Sequence, residues 1–261
     1  MVARIWFIGP LVVDTSNAAP MSSRPDLAPN RDELLGTDTQ GRSLLALLVE
    51  GIPLTLQIGF LAGGIGLAIG TILGLIAGYV GGVVDVIIRS AADIMLTVPG
   101  LLVLIVIASS IDGFVEIQII ALVVASLAWM WPTRTIRAQV LSMRSRPYVE
   151  MAKLNGLNTL QIIMRELIPN LLPFIAASFV GAVGAAVLAT IGIEALGLGP
   201  QDEPTLGMTI YWSIYNAALL KGLWWQWAVP VAAIMVLFVS LFLIASAFDE
   251  IANPRLRKAA S

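Results

Sequence analysis

The chain has 261 residues, 58% of them hydrophobic and only 12% charged, about half the charged share of a soluble domain. Such a surface belongs largely in lipid. The sequence contains no His and no Cys, which removes the usual ligands of zinc, haem and iron–sulfur sites and rules out disulfides and thiol catalysis. Fifteen Lys plus Arg against 17 Asp plus Glu give a net charge of −2, so the basic footprint of a nucleic-acid binder is missing and nucleic acid is not an expected partner.

In chain order, the first apolar run, Ile5 to Val13, has about half the length needed to cross a bilayer. It reads as the tail of a longer span rather than a signal peptide, since no small-residue cleavage site follows a sufficient apolar core. Asp14 to Gln40, rich in Pro, Asn, Ser and Asp, reads as a loop. Five uncharged runs long enough to span follow: Ile52–Val84, Ile94–Ile111, Ile117–Thr133, Leu167–Ile193 and Leu223–Phe248. The expected fold is therefore an all-α polytopic membrane protein with five spans and a partial or complete sixth at the N-terminus. Residues 1–46 form the N-terminal partial span and outer loop, and residues 47–261 the transmembrane domain. The longest runs must tilt, project into water, or break at Pro53, Pro169, Pro173 or Pro230.

Gly66, Gly70, Gly74 and Gly78 recur every four residues in the first of these runs, laying a glycine stripe along one helix face where another backbone can approach. Ala177, Gly181, Ala185 and Ala189 repeat the device in the fourth. Both stripes read as packing faces. Arg89 and Asp93 stand one turn apart and are expected to pair. Glu194, where the fourth run ends, is expected to face water. Trp224, Trp225 and Trp227 suit an interfacial anchor for the last span.

Positive charge sets the orientation. Arg134, Arg137, Arg144, Arg146, Lys153 and Arg165 lie between the third and fourth runs, Arg255, Arg257 and Lys258 in the tail, and Arg89 joins them by alternation; only Arg24, Arg31, Arg42 and Lys221 fall on the other side. The first group is cytoplasmic, and Asp14 to Gln40 is extracytoplasmic.

The cytoplasmic connection, 134–170, reads as two short helices. Pro147 opens the first, Gly156 supplies a left-handed end, and Asn158 with Gln161 three residues later forms a capping box for the second. Pro169 limits or kinks its continuation. Val149, Ala152 and Leu154 of the first helix suit insertion into a groove on a partner.

Here Glu150, Met151, Ala152, Gly156 and Pro169 match the Glu-Ala-Ala, three residues, Gly, nine residues, Ile-x-Leu-Pro signature of the cytoplasmic EAA loop, and the chain thereby resembles the permease subunits of ABC importers. Met151 and Ile168 are conservative changes, and Glu166 departs from the Ile position. Further stretches resemble the dipeptide and oligopeptide branch of C-subunit type: 35–42 (LGTDTQGR), 77–85 (AGYVGGVVD), 168–170 (IPN), 196–199 (LGLG) and 253–257 (NPRLR). That branch commonly has Glu where Thr190 stands, Ser-Phe at Glu194-Ala195, and Trp at Leu206.

The resemblance implies the transmembrane domain of a type I ABC importer in a prokaryotic cytoplasmic membrane. The substrate would be a peptide, with oligosaccharides or a nickel complex as alternatives within the same architecture. It also implies a second, homologous permease subunit, two ATPase subunits and an extracytoplasmic substrate-binding protein, with Asp14–Gln40 and Gly197–Gly222 as the loops that touch the last. Coupling to the ATPases falls on Tyr148, Glu150, Met151, Ala152, Leu154, Gly156 and Pro169. Ser178, Thr190 and Glu194 are the candidate pathway residues. This chain has no G-x-x-x-x-G-K-[ST] loop, so ATP and Mg²⁺ belong to the ATPase subunits, and neither a cofactor nor a catalytic or metal site is expected here. A stand-alone secondary transporter would want buried ion ligands that the runs do not display, and a membrane enzyme would want an acid, base or metal constellation.

Overall fold

The computed structural model describes residues 13–111 and 115–252, with side chains through Phe248. The Ile5–Val13 run, apart from Val13, and the 253–257 stretch lie outside the described residues. Among the described residues the structure is helical, with α1 Leu44–Val80, α2 Gly82–Thr97, α3 Gly100–Ser109, α4 Ile117–Ala128, α5 Met130–Met143, α6 Pro147–Leu154, α7 Thr159–Ile162, α8 Ile168–Glu194, α9 Leu206–Tyr215 and α10 Trp224–Ala252. A π turn over Ile163–Leu167 joins α7 to α8, so a continuous helical segment runs from Thr159 to Glu194.

Three of these segments are long and apolar enough to cross a membrane alone: α1, Thr159–Glu194 and Trp224–Phe248. The second and third apolar runs are different, since each is a bent pair. α2 and α3 meet at 84°, and α4 and α5 at 42°. Local chemistry accounts for the first break, because Pro99 drives Val98 out of the helical region to ψ 131°. For the second, Pro132 removes the N–H that would bond the carbonyl of Ala128. Five spans result when each bent pair counts as one.

The chain divides into two compact units. The first takes the described residues up to Ile58 with stretches 104–121 and 187–239. Its loop over residues 14–43 is folded, not irregular. Asp38 Oδ1 accepts from the N–H groups of Gln40 and Arg42, both at 2.9 Å, and Asp38 Oδ2 binds Arg42 Nε at 2.6 Å. Trp225 Nε1 donates to the carbonyl of Thr37 at 3.1 Å, and Gln226 Nε2 donates to Asp26 Oδ1 at 2.9 Å, which ties the loop to the start of α10. Trp225 is thus buried against Leu44 and Leu47 and departs from the expected anchor cluster, while Trp224 and Trp227 stay exposed. The 35–42 motif is a structural knot that closes this loop on itself and on the start of α10.

The second unit holds 59–103, 122–186 and 240 onward. Here the α1 glycine stripe is packed against α4 and α5. A methyl group on Gly66 would stand 2.4 Å from Ala128 Cβ, on Gly70 2.6 Å from Pro132 Cβ, on Gly74 2.9 Å from Ile136 Cβ, and on Gly78 2.8 Å from Val140 Cβ. Larger residues would force the helices apart. The stripe on α8 behaves differently: around Gly181 there is open space and Ala185 is exposed, so it is not a packing face within the described residues. Asp85 makes a bidentate ion pair with Arg137, and Asp93 pairs with Arg134 at 3.4 Å, joining α2 to α5. The expected Arg89–Asp93 pair does not form; Asp93 turns to α5 because the neighbouring helix offers Arg134 directly.

Candidate functional site

Both ends of α6 are stopped by side-chain and backbone chemistry that the sequence carries. Pro147 occupies the first turn, where its missing N–H costs nothing. At the other end Gly156 adopts φ +78°, its N–H donates to the carbonyl of Lys153 at 3.0 Å, and the N–H of Leu157 donates to that of Ala152 at 3.1 Å. This is a Schellman closure. No heavy atom lies within 4 Å of where a Gly156 side chain would start, so the glycine answers a backbone demand and not a steric one. Immediately after, Asn158 Oδ1 accepts from the N–H of Gln161 while Gln161 Oε1 accepts from that of Asn158, both at 2.9 Å, completing the expected capping box.

The second short helix does not end at Pro169. Instead the π turn widens the helix just ahead of the proline, with the N–H of Ile168 reaching back five residues to the carbonyl of Ile163. Asn170 Nδ2 adds a bond to the carbonyl of Glu166 at 2.7 Å. Pro169 is therefore absorbed inside a continuous helix, and the 168–170 triplet has a structural reason.

Val149 and Ala152 do not point to a partner. They are buried in this chain's own core with Leu75, Ile136, Val140, Ile162, Leu167 and Leu171. Outward-facing apolar groups are others: Met151 is 57% exposed, Leu154 81%, Leu160 68% and Met164 56%. Exposed apolar side chains at i,i+3 on one short helix and i,i+4 on the next form the kind of face that marks a protein contact. Glu150 and Gly156 are exposed beside them, as are Tyr148 and Pro169. Partial burial raises the Tyr148 phenol above its ordinary range; Arg146 opposes the shift and Glu166 adds to it. Lys153 Nζ sits 5.7 Å from the centre of the Tyr79 ring, a cation–π contact between α6 and the end of α1. Tyr79, Leu160 and Met164 are site residues that the sequence reading missed, although the i,i+4 spacing of the last two was there to see.

The three candidate pathway residues separate. Ser178 is half-buried in one unit, whereas Thr190 and Glu194 are fully buried in the other. Glu194 does not face water. Its Oε2 accepts from Thr205 Oγ1 at 2.8 Å, and it lies against the N–H of Gly207 at the start of α9. A methyl group on Gly207 would stand 2.3 Å from Oε2, and one on Gly199 would stand 2.6 Å from Glu194 Cγ, so both glycines make room for the carboxylate. A negative group at a helix N-terminus is held by the unpaired N–H groups there. Thr55 Oγ1 accepts from the N–H of Leu206 at 3.0 Å and fixes the same helix start. In this same unit a cleft of about 900 Å³ opens between the 14–42 and 201–212 segments, lined by Asp14, Glu50, Asp202, Glu203, Arg42 and Trp212 among others.

Comparison with known proteins matches residues 70–258 to the family described as binding-protein-dependent transport system inner membrane component. The chain is 30% identical over 227 residues to the oligopeptide transport system permease protein OppC of Lactococcus lactis subsp. cremoris (strain SK11), covering 85% of this chain and 75% of that one. It is 30% identical over 255 residues to the dipeptide transport system permease protein DppC of Alkalihalophilus pseudofirmus, covering 97% and 82%. Among solved structures it resembles an inward-facing conformation of the MetNI methionine ABC transporter, with TM-score 0.64 and 21% identity over 79% of this chain and 94% of that one. The last likeness is one of fold.

Proposed function

The chain belongs to the family of binding-protein-dependent transport system inner membrane components, a multi-pass permease subunit of an ABC importer, and we propose that it forms half of a peptide pathway powered by separate ATPase subunits. The observation that carries this reading is the exposed apolar face of Met151, Leu154, Leu160 and Met164 on a doubly capped two-helix element. A rigid element suits the load, since inverting an equilibrium from 1:99 to 99:1 takes about 5.5 kcal/mol of differential binding. The face fits a cleft on an ATPase subunit, with ATP and Mg²⁺ held there and not on this chain.

A second permease subunit completes the pathway. The outer cleft, which joins the loops of residues 14–42 and 201–212, suits contact with a substrate-binding protein. Peptide as substrate follows from the names of the relatives. Reconstitution tests the whole reading: liposomes carrying this chain, its companion permease and the ATPases, with ATP enclosed and the binding protein outside, are expected to accumulate a labelled di- or tripeptide. Uptake that runs on an ion gradient without ATP contradicts it, and ATP-driven uptake of an oligosaccharide in place of peptides corrects the substrate alone.

A further inference from the structure

α2 has two faces with different solvents in view. Val83, Val86, Ile87 and Ile94 fall on one side and are 73%, 52%, 62% and 65% exposed. Asp85, Arg89 and Asp93, spaced four apart, form the adjoining stripe. With 16 residues the helix measures about 24 Å, and it turns 84° from the apolar α3 that follows. An amphipathic helix set at such an angle to the apolar helix after it has the form of one lying in the interface.

Charge on this surface does not cancel. Asp85 is taken by Arg137 in a bidentate pair, and Asp93 by Arg134. Arg89 therefore stands exposed with the carboxylates one turn before and after it already engaged. Arg144 is also exposed; its Nη1 donates to the carbonyl of Gly78 at 3.3 Å near the end of α1, and it stands beside Gly81 at the turn into α2. Of the described residues Arg137 alone makes an ion pair with Asp85, while the charges of Arg89 and Arg144 also help to hold its carboxyl below the usual carboxylate range. Among the described residues neither Arg89 nor Arg144 makes an ion pair.

We propose that Arg89 and Arg144, next to the exposed apolar stripe of α2, bind the phosphodiester headgroup of an anionic phospholipid in the cytoplasmic leaflet. Guanidinium groups match phosphate oxygens in pairs, and the valine and isoleucine stripe supplies the surface for acyl chains. A membrane-embedded basic cluster on the cytoplasmic side is where anionic lipid concentrates. The proposal rests on the orientation of the chain and is independent of which solute it carries.

Native mass spectrometry of the full chain, released from vesicles of phosphatidylcholine mixed with phosphatidylglycerol, provides the test. The wild-type chain is expected to retain phosphatidylglycerol in preference to phosphatidylcholine. Arg89→Gln and Arg144→Gln each lower that preference about fivefold, Arg89→Lys lowers it less, and Arg31→Gln in the outer loop leaves it unchanged. Thermal melting identifies any variant that fails to fold, and exposed Arg89 is decisive if Arg144→Gln does. Three results overturn the proposal: unchanged lipid preference in Arg89→Gln, displacement of the lipid by inorganic phosphate at equal concentration, or loss of co-purifying ATPase chains from Arg89→Gln with lipid retention intact.

Discussion

The helical segment from Thr159 to Glu194 ends in two opposite ways. At its start, the π turn and the short α7 leave Leu160 and Met164 in the open, as Met151 and Leu154 of α6 are, although the end of α6 and the start of α7 are both capped. At its other end the Glu194 carboxyl is wholly buried, with Thr205, Gly199 and Gly207 shaped around it. Apolar groups outside and a carboxylate inside invert the usual arrangement twice. The first inversion is what a surface awaiting a partner looks like, because exposed apolar area is stabilised only by being covered. The second is an internal clamp: the carboxyl serves the chain's own α9, where it accepts from Thr205 Oγ1 and meets the N–H of Gly207.

Substitutions at the two ends should therefore separate stability from partnership. The largest effect is expected from Glu194→Ala, which strips the cradle of its acceptor and leaves a void. About 3 kcal/mol of stability should be lost, read as a lower melting temperature in detergent. Glu194→Gln keeps one acceptor oxygen and should lose about half as much. If both variants melt like the wild type, the clamp is not one. Next comes Gly70→Val in the α1 stripe, where the added carbon meets Pro132 Cβ at 2.6 Å. Overpacking of about 1–3 kcal/mol is expected there, whereas Gly181→Val on the open α8 stripe should leave the melting temperature of the isolated chain nearly unchanged.

At the first end, Gly156→Val must hold a β-branched residue at φ +78° and should cost about 1–2 kcal/mol of local stability while abolishing transport. Gly156→Asn should retain most of both, since Asn tolerates the left-handed region. Equal loss in the two variants would mean that the site needs the absence of a side chain and not the backbone conformation. The smallest stability effect belongs to Leu154→Asp, within about 0.5 kcal/mol of the wild type, because the side chain is 81% exposed. Val149→Asp, one and a half turns away but fully buried, should destabilise by several-fold more.

Much of this was legible in the residues themselves. The Gly66–Gly78 stripe, the Gly156 closure and the Asn158–Gln161 box are local patterns whose physics is contained in a few neighbouring positions, and the structure forms each of them. What escaped the sequence depended on distant partners. Val149 and Ala152 look like any apolar residues on a short amphipathic helix until Ile136 and Leu171 are seen to cover them. Glu194 reads as a solvated helix end until α9 arrives over it. Asp93 prefers Arg134 to Arg89 only because α5 lies beside α2. The 84° break could have been found, since Val98-Pro99-Gly100 interrupts the second run with the residues that most often end a helix. Pro169 misled in the other direction, because a π turn can absorb a proline that would otherwise stop the chain.

An ATPase subunit is expected to cover the exposed face of Met151, Leu154, Leu160 and Met164. Affinity purification of the full chain from its own membranes in mild detergent, with co-purifying proteins identified by mass spectrometry, tests it most directly when wild type and Leu154→Asp are compared. ATPase chains and a second multi-span protein are expected with the wild type, and loss of the ATPase chains alone with Leu154→Asp. A wild-type chain recovered by itself, or ATPase chains that remain with Leu154→Asp, would contradict it.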